Sequence, residues 1–163
     1  MIIQITKSDL HDCLSIIRRG FETVADELGL TDENCPDRGG ASLTYGKLLA
    51  EFESGVMMFA YYSDGTPVGF LAMKMYDGGY CGINNIVVLP EYRHNGYGRE
   101  LLEFCKQRAV DLGARKIRFG MIDDNMQLKK WYEDNGFVTV EHKNYDGAPF
   151  TVGKMECDLS PRR

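Results

Sequence analysis

The sequence lacks the marks of a membrane-spanning, disulfide-bonded or nucleic-acid-binding chain. Its longest apolar run falls far short of the roughly 20 residues a membrane span requires. The opening stretch MIIQITKSDLHDC has no basic region followed by an apolar core and a cleavage site. A soluble, cytoplasmic protein without a membrane partner is therefore expected. The five cysteines, Cys13, Cys35, Cys81, Cys105 and Cys157, are odd in number and have no CxxC spacing. Neither a disulfide framework nor a zinc site is favoured, and they read as reduced thiols, mostly small core residues. There is no run of lysine or arginine, and the net charge is -5. Nucleic acid is a poor partner for such a chain, because neutralising phosphates takes a basic surface. A small-molecule or protein substrate fits better.

What is present is enough for one domain. At 163 residues, 44% of them hydrophobic and 26% charged, the chain can bury about two thirds of its unfolded surface in a single core. No internal repeat, low-complexity tract or linker divides it. MIIQIT reads as a short strand, and Ser8 or Asp9 can cap a helix whose Leu10, Leu14 and Ile17 share a face. Gly20 to Gly40 reads as irregular. A helix is predicted from Ser42 to Phe52, with Gly46 weakening it by about 1 kcal/mol relative to alanine. VMMFAYYS, the turn DGTP and VGFLAMKMY form a β-hairpin.

The next apolar run, CGINNIVVLP, ends at Pro90, which cannot donate to a sheet ladder. A helix beginning near Gly98 puts Leu101, Cys105, Ala109 and Leu112 on one stripe, and Gly113 supplies its left-handed cap. ARKIRFGMI then alternates Ile117, Phe119 and Met121 with Lys116, Arg118 and Gly120, as a half-buried strand does. Strand, loop, helix and strand make a βαβ unit. DDNMQLKKWYEDNGF is a short helix capped by Asp123 or Asp124 and ended by Gly136. Strands from Phe137 to Lys143 and from Phe150 to Leu159 follow. In the last, Phe150 and Val152 have one parity and Met155, Cys157 and Leu159 the other, so a bulge near Gly153 would keep all five inward. The fold class is α/β, a mixed sheet flanked by helices.

The loop EYRHNGYG between the buried strand and its helix carries the chemistry. A helix N-terminus leaves its first N–H groups unpaired and bears a positive partial charge, which makes it an anion site. Gly96 and Gly98 let backbone approach a diphosphate, and Arg93 and Arg99 add formal charge. The alternative is a glycine turn that only eases entry into the helix. A dinucleotide fingerprint needs a third glycine where Leu101 stands, and the lysine of a Walker loop is absent. NAD chemistry and NTP hydrolysis are thereby disfavoured.

RHNGYG, Arg93 to Gly98, resembles the R/Q-x-x-G-x-G/A signature of the GCN5-related N-acetyltransferase (GNAT) superfamily, preceded as is usual there by VVLPEY. NMQLKKWYEDNGF, Asn125 to Phe137, is similar to a second motif of that family, an asparagine followed seven residues later by tyrosine and then Gly-Phe. The order of elements matches from residue 1 to about 159, which implies one GNAT domain over residues 1–159 and a short tail over 160–163. The resemblance implies acetyl-CoA as cofactor and an N-acetyltransferase activity on a primary amine, by direct transfer in a ternary complex. It implies that the loop from Arg93 and His94 through Asn95, Gly96, Tyr97, Gly98 and Arg99 to Glu100 holds the pyrophosphate. Backbone of Ile86, Val87 and Val88, on a strand that splays from its parallel neighbour, would pair with the pantetheine arm, with an N–H near Val88 facing the thioester carbonyl. Asn125 would contact the cofactor arm. Tyr132 would face its sulfur as general acid to the leaving thiolate; its structural alternative is a core tyrosine packed on Leu128.

No general base is assigned. The positions where this family often carries a strand glutamate are Asn84 and Asn85, which cannot take a proton. Glu91, His94 and His142 are weak substitutes. The acceptor side is expected in the segment from Gly20 to Asp37, which carries Glu22, Asp26, Glu27, Asp32, Glu33 and Asp37 and no basic residue, with Asn84 facing it. That segment is either a guide for a cationic amine or a solvated acidic face. A non-catalytic acyl-CoA-binding or sensing module on the same fold is the alternative function. The acceptor, whether polyamine, aminoglycoside, amino acid, peptide terminus or lysine side chain, is not encoded legibly. Dimers are common among proteins that resemble this one, so a homodimer is an admissible assembly.

Overall fold

The sheet grows from a hairpin whose turn is only two residues long. Strands β2 (Met57–Ser63) and β3 (Thr66–Tyr76) pair antiparallel. Between them Asp64 and Gly65 both take positive φ, 50° and 76°, the left-handed pair that matches strand twist in a tight hairpin. Thr66 and Pro67, expected in the turn, belong to β3. The computed structural model describes residues 1–159; the expected tail over 160–163 lies outside the described residues.

Around this hairpin stand β1 (Ile2–Gln4), β4 (Tyr80–Val88), β5 (Lys116–Ile122), β6 (Val138–Asn144) and β7 (Thr151–Asp158), in the spatial order β1-β2-β3-β4-β5-β7-β6. Every neighbouring pair is antiparallel except β4 and β5. Helices α1 (Leu10–Glu27) and α2 (Tyr45–Glu53) cover one face. There Leu10, Leu14, Ile17 and Leu48 pack on Met58, Phe70, Ala72 and Val87. Helices α3 (Tyr97–Asp111) and α4 (Met126–Asp134) cover the other, where Leu101, Leu102, Cys105 and Tyr132 pack on Leu71, Met73, Ile117 and Met155. All five cysteines are buried. This is the expected mixed α/β sheet flanked by helices.

Four local expectations are corrected. The stretch after Gly20 is not irregular at first, because α1 continues to Glu27. Phe21, Val24 and Ala25 extend the apolar stripe, and Gly20 is there for close approach: a Cβ on it would lie 1.9 Å from Val87 Cγ2. Helix α2 starts at Tyr45 rather than Ser42, because Thr44 caps it by accepting from Lys47 N at 3.2 Å. Asn125, not an aspartate, caps α4, its Oδ1 accepting from Leu128 N at 3.3 Å. Finally, β7 keeps an unbroken register with β5, and the irregularity sits in β6 between Thr139 and Glu141. Val152 therefore points away from the core that takes Met155 and Cys157, while exposed Val140 absorbs the extra residue.

Candidate active site

The centre of the sheet is open. Parallel strands β4 and β5 pair over three residues only, Tyr80, Cys81 and Gly82 opposite Lys116, Ile117 and Arg118. Beyond Gly82 the two strands diverge, so Ile83 to Val88 keep β3 as partner on one side and, among the described residues, no strand on the other. Unpaired backbone polar groups seek partners, which makes this edge a docking rail for an extended ligand. The register of β4 against β3 also slips, from Met73–Ile83 to Ala72–Asn85, leaving Asn84 as a bulge. The bulge switches side-chain parity. Cys81 and Ile83 face α3, and so do Ile86 and Val88, while Val87 joins the core under α1.

Just past this rail, the chain turns into α3 with Gly96 at the cap position, φ 83°. No side chain caps the helix, and its first intrahelical bond is Glu100 N–H to Gly96 O at 3.0 Å. The amides of Tyr97, Gly98 and Arg99 therefore lack intrahelical acceptors. The remaining loop side chains brace it. His94 holds φ 66°, and Asn95 Nδ2 donates to Tyr92 O at 3.0 Å. Tyr97 stacks on Tyr61 with ring centres 4.5 Å apart and its hydroxyl meets Ser63 Oγ at 3.0 Å. Glu100 accepts a hydrogen bond from the Tyr61 hydroxyl, and that bond, with burial, pushes the Tyr61 pKa up to about 12. Arg93, expected to face an anion, turns inward instead: Nε donates to Val88 O at 3.1 Å and an Nη donates to Gly20 O at 2.9 Å. It ties the end of β4 to α1.

Gly98 and Tyr132 mark the other wall. A Cβ on Gly98 would stand 3.7 Å from Trp131 and 3.9 Å from Val88, at ordinary contact distance. The glycine thus keeps a gap between α3, the end of β4 and α4. Next to Trp131, the Tyr132 ring is buried at 3% exposure, with Phe119 4.5 Å and Phe137 5.5 Å away between ring centres. Burial, and secondarily the Cys105 thiol, pushes its hydroxyl pKa up. The hydroxyl has no hydrogen-bond partner among the described residues.

Two clefts meet at the bulge. One, of about 210 Å³, lies between α2, the loop before it and β4, and is lined among others by Asp37, Lys47, Glu51, Asn84 and Asn85. The other, of about 350 Å³, lies over the divergence of β4 and β5 and includes Tyr80, Asn84, Arg118, Glu141 and Lys154. Of the expected acceptor-side residues only Asp37 and Asn84 reach them. Glu22, Asp26 and Glu27 sit on exposed positions of α1 outside both linings, and Asp32 pairs with Arg38 at 2.6 Å. The substitute bases are elsewhere too: Glu91 pairs with Arg19 at 2.5 Å, and His142 meets Asp123 at 3.2 Å. Glu51 was not singled out from the sequence. In that sequence it is one of two acidic residues on an amphipathic helix, and only the fold brings it beside Asn84 and Asn85.

Comparison with known proteins agrees with this geometry. The acetyltransferase (GNAT) family model matches residues 22–137. A thialysine N-epsilon-acetyltransferase from Bos taurus is 24% identical over 148 residues, 83% of this chain and 82% of that one. A ribosomal-protein-alanine N-acetyltransferase from Escherichia coli superposes with a TM-score of 0.78 at 16% identity, over 100% of this chain and 96% of that one. The PaiA N-acetyltransferase from Thermoplasma acidophilum, solved with coenzyme A, superposes at 0.75 with 18% identity, over 97% and 98% of the two chains. With the family model spanning both the glycine loop and the Tyr132 helix, this chain belongs to the GNAT acetyltransferase family.

Proposed function

We propose that this enzyme transfers the acetyl group of acetyl-CoA directly to a primary amine, with both substrates bound at once. The observation that carries this reading is the three-residue pairing of β4 and β5, which leaves the backbone of Ile86 to Val88 without a described strand on its β5 side, beside an uncapped helix N-terminus. The residues present fit acetyl-CoA. The free amides of Tyr97, Gly98 and Arg99 suit a diphosphate, and the edge of β4 suits the paired amides of a pantetheine arm. The gap kept by Gly98 leads toward Trp131 and Tyr132. Acetyl-CoA supplies the activated acyl group and a thiolate leaving group.

The rest is done by this chain. An N–H in the Val88 region is placed to meet negative charge developing on the acyl oxygen. Arg93, bonded to Val88 O, holds that segment at a fixed distance from α1. Tyr132 keeps its proton across physiological pH because burial raises its pKa, so it donates to the leaving sulfur. The same desolvation destabilises the departing thiolate, so proton transfer from Tyr132 neutralises a charge that the buried site does not solvate. The smaller cleft, lined by Lys47 and Glu51 of α2, lies on the face of the sheet away from α3, where an acceptor enters without crossing the cofactor.

Free-thiol release measured with acetyl-CoA and a panel of amines tests this reading. Amine-dependent release supports it. Tight acetyl-CoA binding with only slow, amine-independent hydrolysis would identify a sensing module instead.

A further inference from the structure

We propose that Glu51 on α2 receives the ammonium group of the acceptor and takes its proton, replacing the carboxylate that β4 lacks. The inference rests on the acetyltransferase reading and names its acceptor class, a cationic primary amine. The site is built by the fold. The β4 bulge brings Asn84 and Asn85 together into the lining of the smaller cleft, opposite Glu51. Neither amide can accept a proton, but both can orient a ligand by hydrogen bonding. Two carboxylates share the lining, Asp37 and Glu51. Asp37 is committed to its own turn, its Oδ1 accepting from Gly39 N at 3.1 Å.

Glu51 is different. Its Oε2 is buried without a hydrogen-bond partner among the described residues. Lys47 lines the same cleft one turn back on α2 and does not satisfy that oxygen. A buried, unpartnered carboxylate oxygen is costly, and an ammonium with three N–H donors is the ligand that relieves it. Burial raises the Glu51 pKa, which makes the carboxylate a better base than an exposed one. The groups facing it are Asp37 from the preceding loop, Lys47 from its own helix and the neutral Asn84 and Asn85 from β4. In the step itself an N–H bond of the ammonium breaks and the proton passes to the Glu51 carboxylate. Nitrogen retains the electron pair with which it attacks the acyl carbon; the C–S bond breaks, Tyr132 protonates the departing thiolate, and the second proton that nitrogen loses returns through solvent to Tyr132. The Glu51 acid then releases its proton to water in the cleft.

The test uses the full chain saturated with coenzyme A, titrated calorimetrically with 1,5-diaminopentane and with the uncharged 1,5-pentanediol. The parent should bind the diamine and not the diol. Glu51→Gln should lose at least tenfold in diamine affinity while keeping its coenzyme A affinity. Its melting temperature should hold or rise, because a folded-state carboxyl pKa above the unfolded value makes ionised Glu51 a burden as pH rises through that pKa. With acetyl-CoA, diamine turnover by the parent should level off above the Glu51 pKa, whereas turnover by Glu51→Gln should climb with pH as the neutral amine fraction grows. Equal diamine affinity in parent and variant, or identical pH slopes, overturns the proposal. So does a parent that binds coenzyme A but ignores the diamine. Failure of the acetyltransferase reading looks different, since the parent would then release no thiol from acetyl-CoA in response to any amine of the panel, the diamine included.

Discussion

Replacing Tyr132 by phenylalanine separates packing from proton donation more cleanly here than at most buried tyrosines. The ring contacts to Phe119 and Phe137, at 4.5 and 5.5 Å between centres, survive the change. The lost hydroxyl makes no hydrogen bond to any described residue. A satisfied buried hydroxyl contributes about 0.5–1.5 kcal/mol net, so deleting this one should move stability by less than about 1 kcal/mol. Removing a general acid lowers turnover by about 10²–10⁴, which corresponds to about 3–5 kcal/mol of transition-state stabilisation. Stability and activity should therefore part by several kcal/mol. The assay is thiol release at saturating acetyl-CoA and amine, alongside thermal unfolding and calorimetric acetyl-CoA affinity. Because burial raises the Tyr132 pKa, its proton is retained through neutral and mildly alkaline pH, and ionisation of this residue should not limit the parent's rate below about pH 10. Equal turnover in variant and parent would return Tyr132 to the core. So would a loss of turnover matched by an equal loss of stability or cofactor affinity.

Gly98→Val should weaken acetyl-CoA binding at least tenfold while the domain stays folded, because the side chain would fill the gap toward Trp131 and Val88; calorimetry showing unchanged affinity would remove the loop from the site. Gly96→Val should act by another route, straining φ 83° in otherwise open space at about 1–2 kcal/mol, visible in denaturant unfolding as well as in binding. Gly20→Ala gains about 1 kcal/mol of helix propensity but must push Val87 aside, an overpacking cost of about 1–3 kcal/mol. Net destabilisation is expected by urea titration, and a more stable variant would refute the close-approach account. For Tyr61 the folded pKa, about 12, lies above the unfolded value near 10. Its bond to Glu100 should stabilise fully below pH 10 and be lost as pH rises through 12. The gap in melting temperature between parent and Tyr61→Phe should close over that window, and a gap that widens would reverse the sign of the reasoning.

Much of the fold was legible because local chemistry and tertiary packing agree. Asp64-Gly65, Gly113 and Gly136 all hold positive φ at the ends of periodic segments, so turn residues and element boundaries coincide. Gly20 misleads because the same residue serves two purposes: glycine ends helices by adopting positive φ, but it also permits contact where a Cβ cannot fit. Only the neighbour decides between them, and Val87 lies 67 positions away in the chain. The parity break in β7 misleads in the same way. A bulge keeps apolar residues inward when both faces cannot be covered, yet here Val152 lies against Gly120 of the paired strand, and the register slip moves to β6.

The site divides along the same line. Backbone-borne features, the proline that stops β4 and the glycine at the mouth of α3, are written in consecutive residues and could be read directly. Side-chain tasks set by distant partners could not. Arg93 sits in the loop motif, but its guanidinium spans α1 and β4, so its charge braces the loop from behind. The acidic segment was conspicuous by composition, yet most of its carboxylates are on exposed positions where the solvent dielectric reduces each to a weak, screened field. A single carboxylate with one oxygen out of water exerts a stronger and more directional pull than several exposed ones. Glu51 meets that condition, and the two asparagines at the β4 bulge leave the proton-accepting task to a residue from another element.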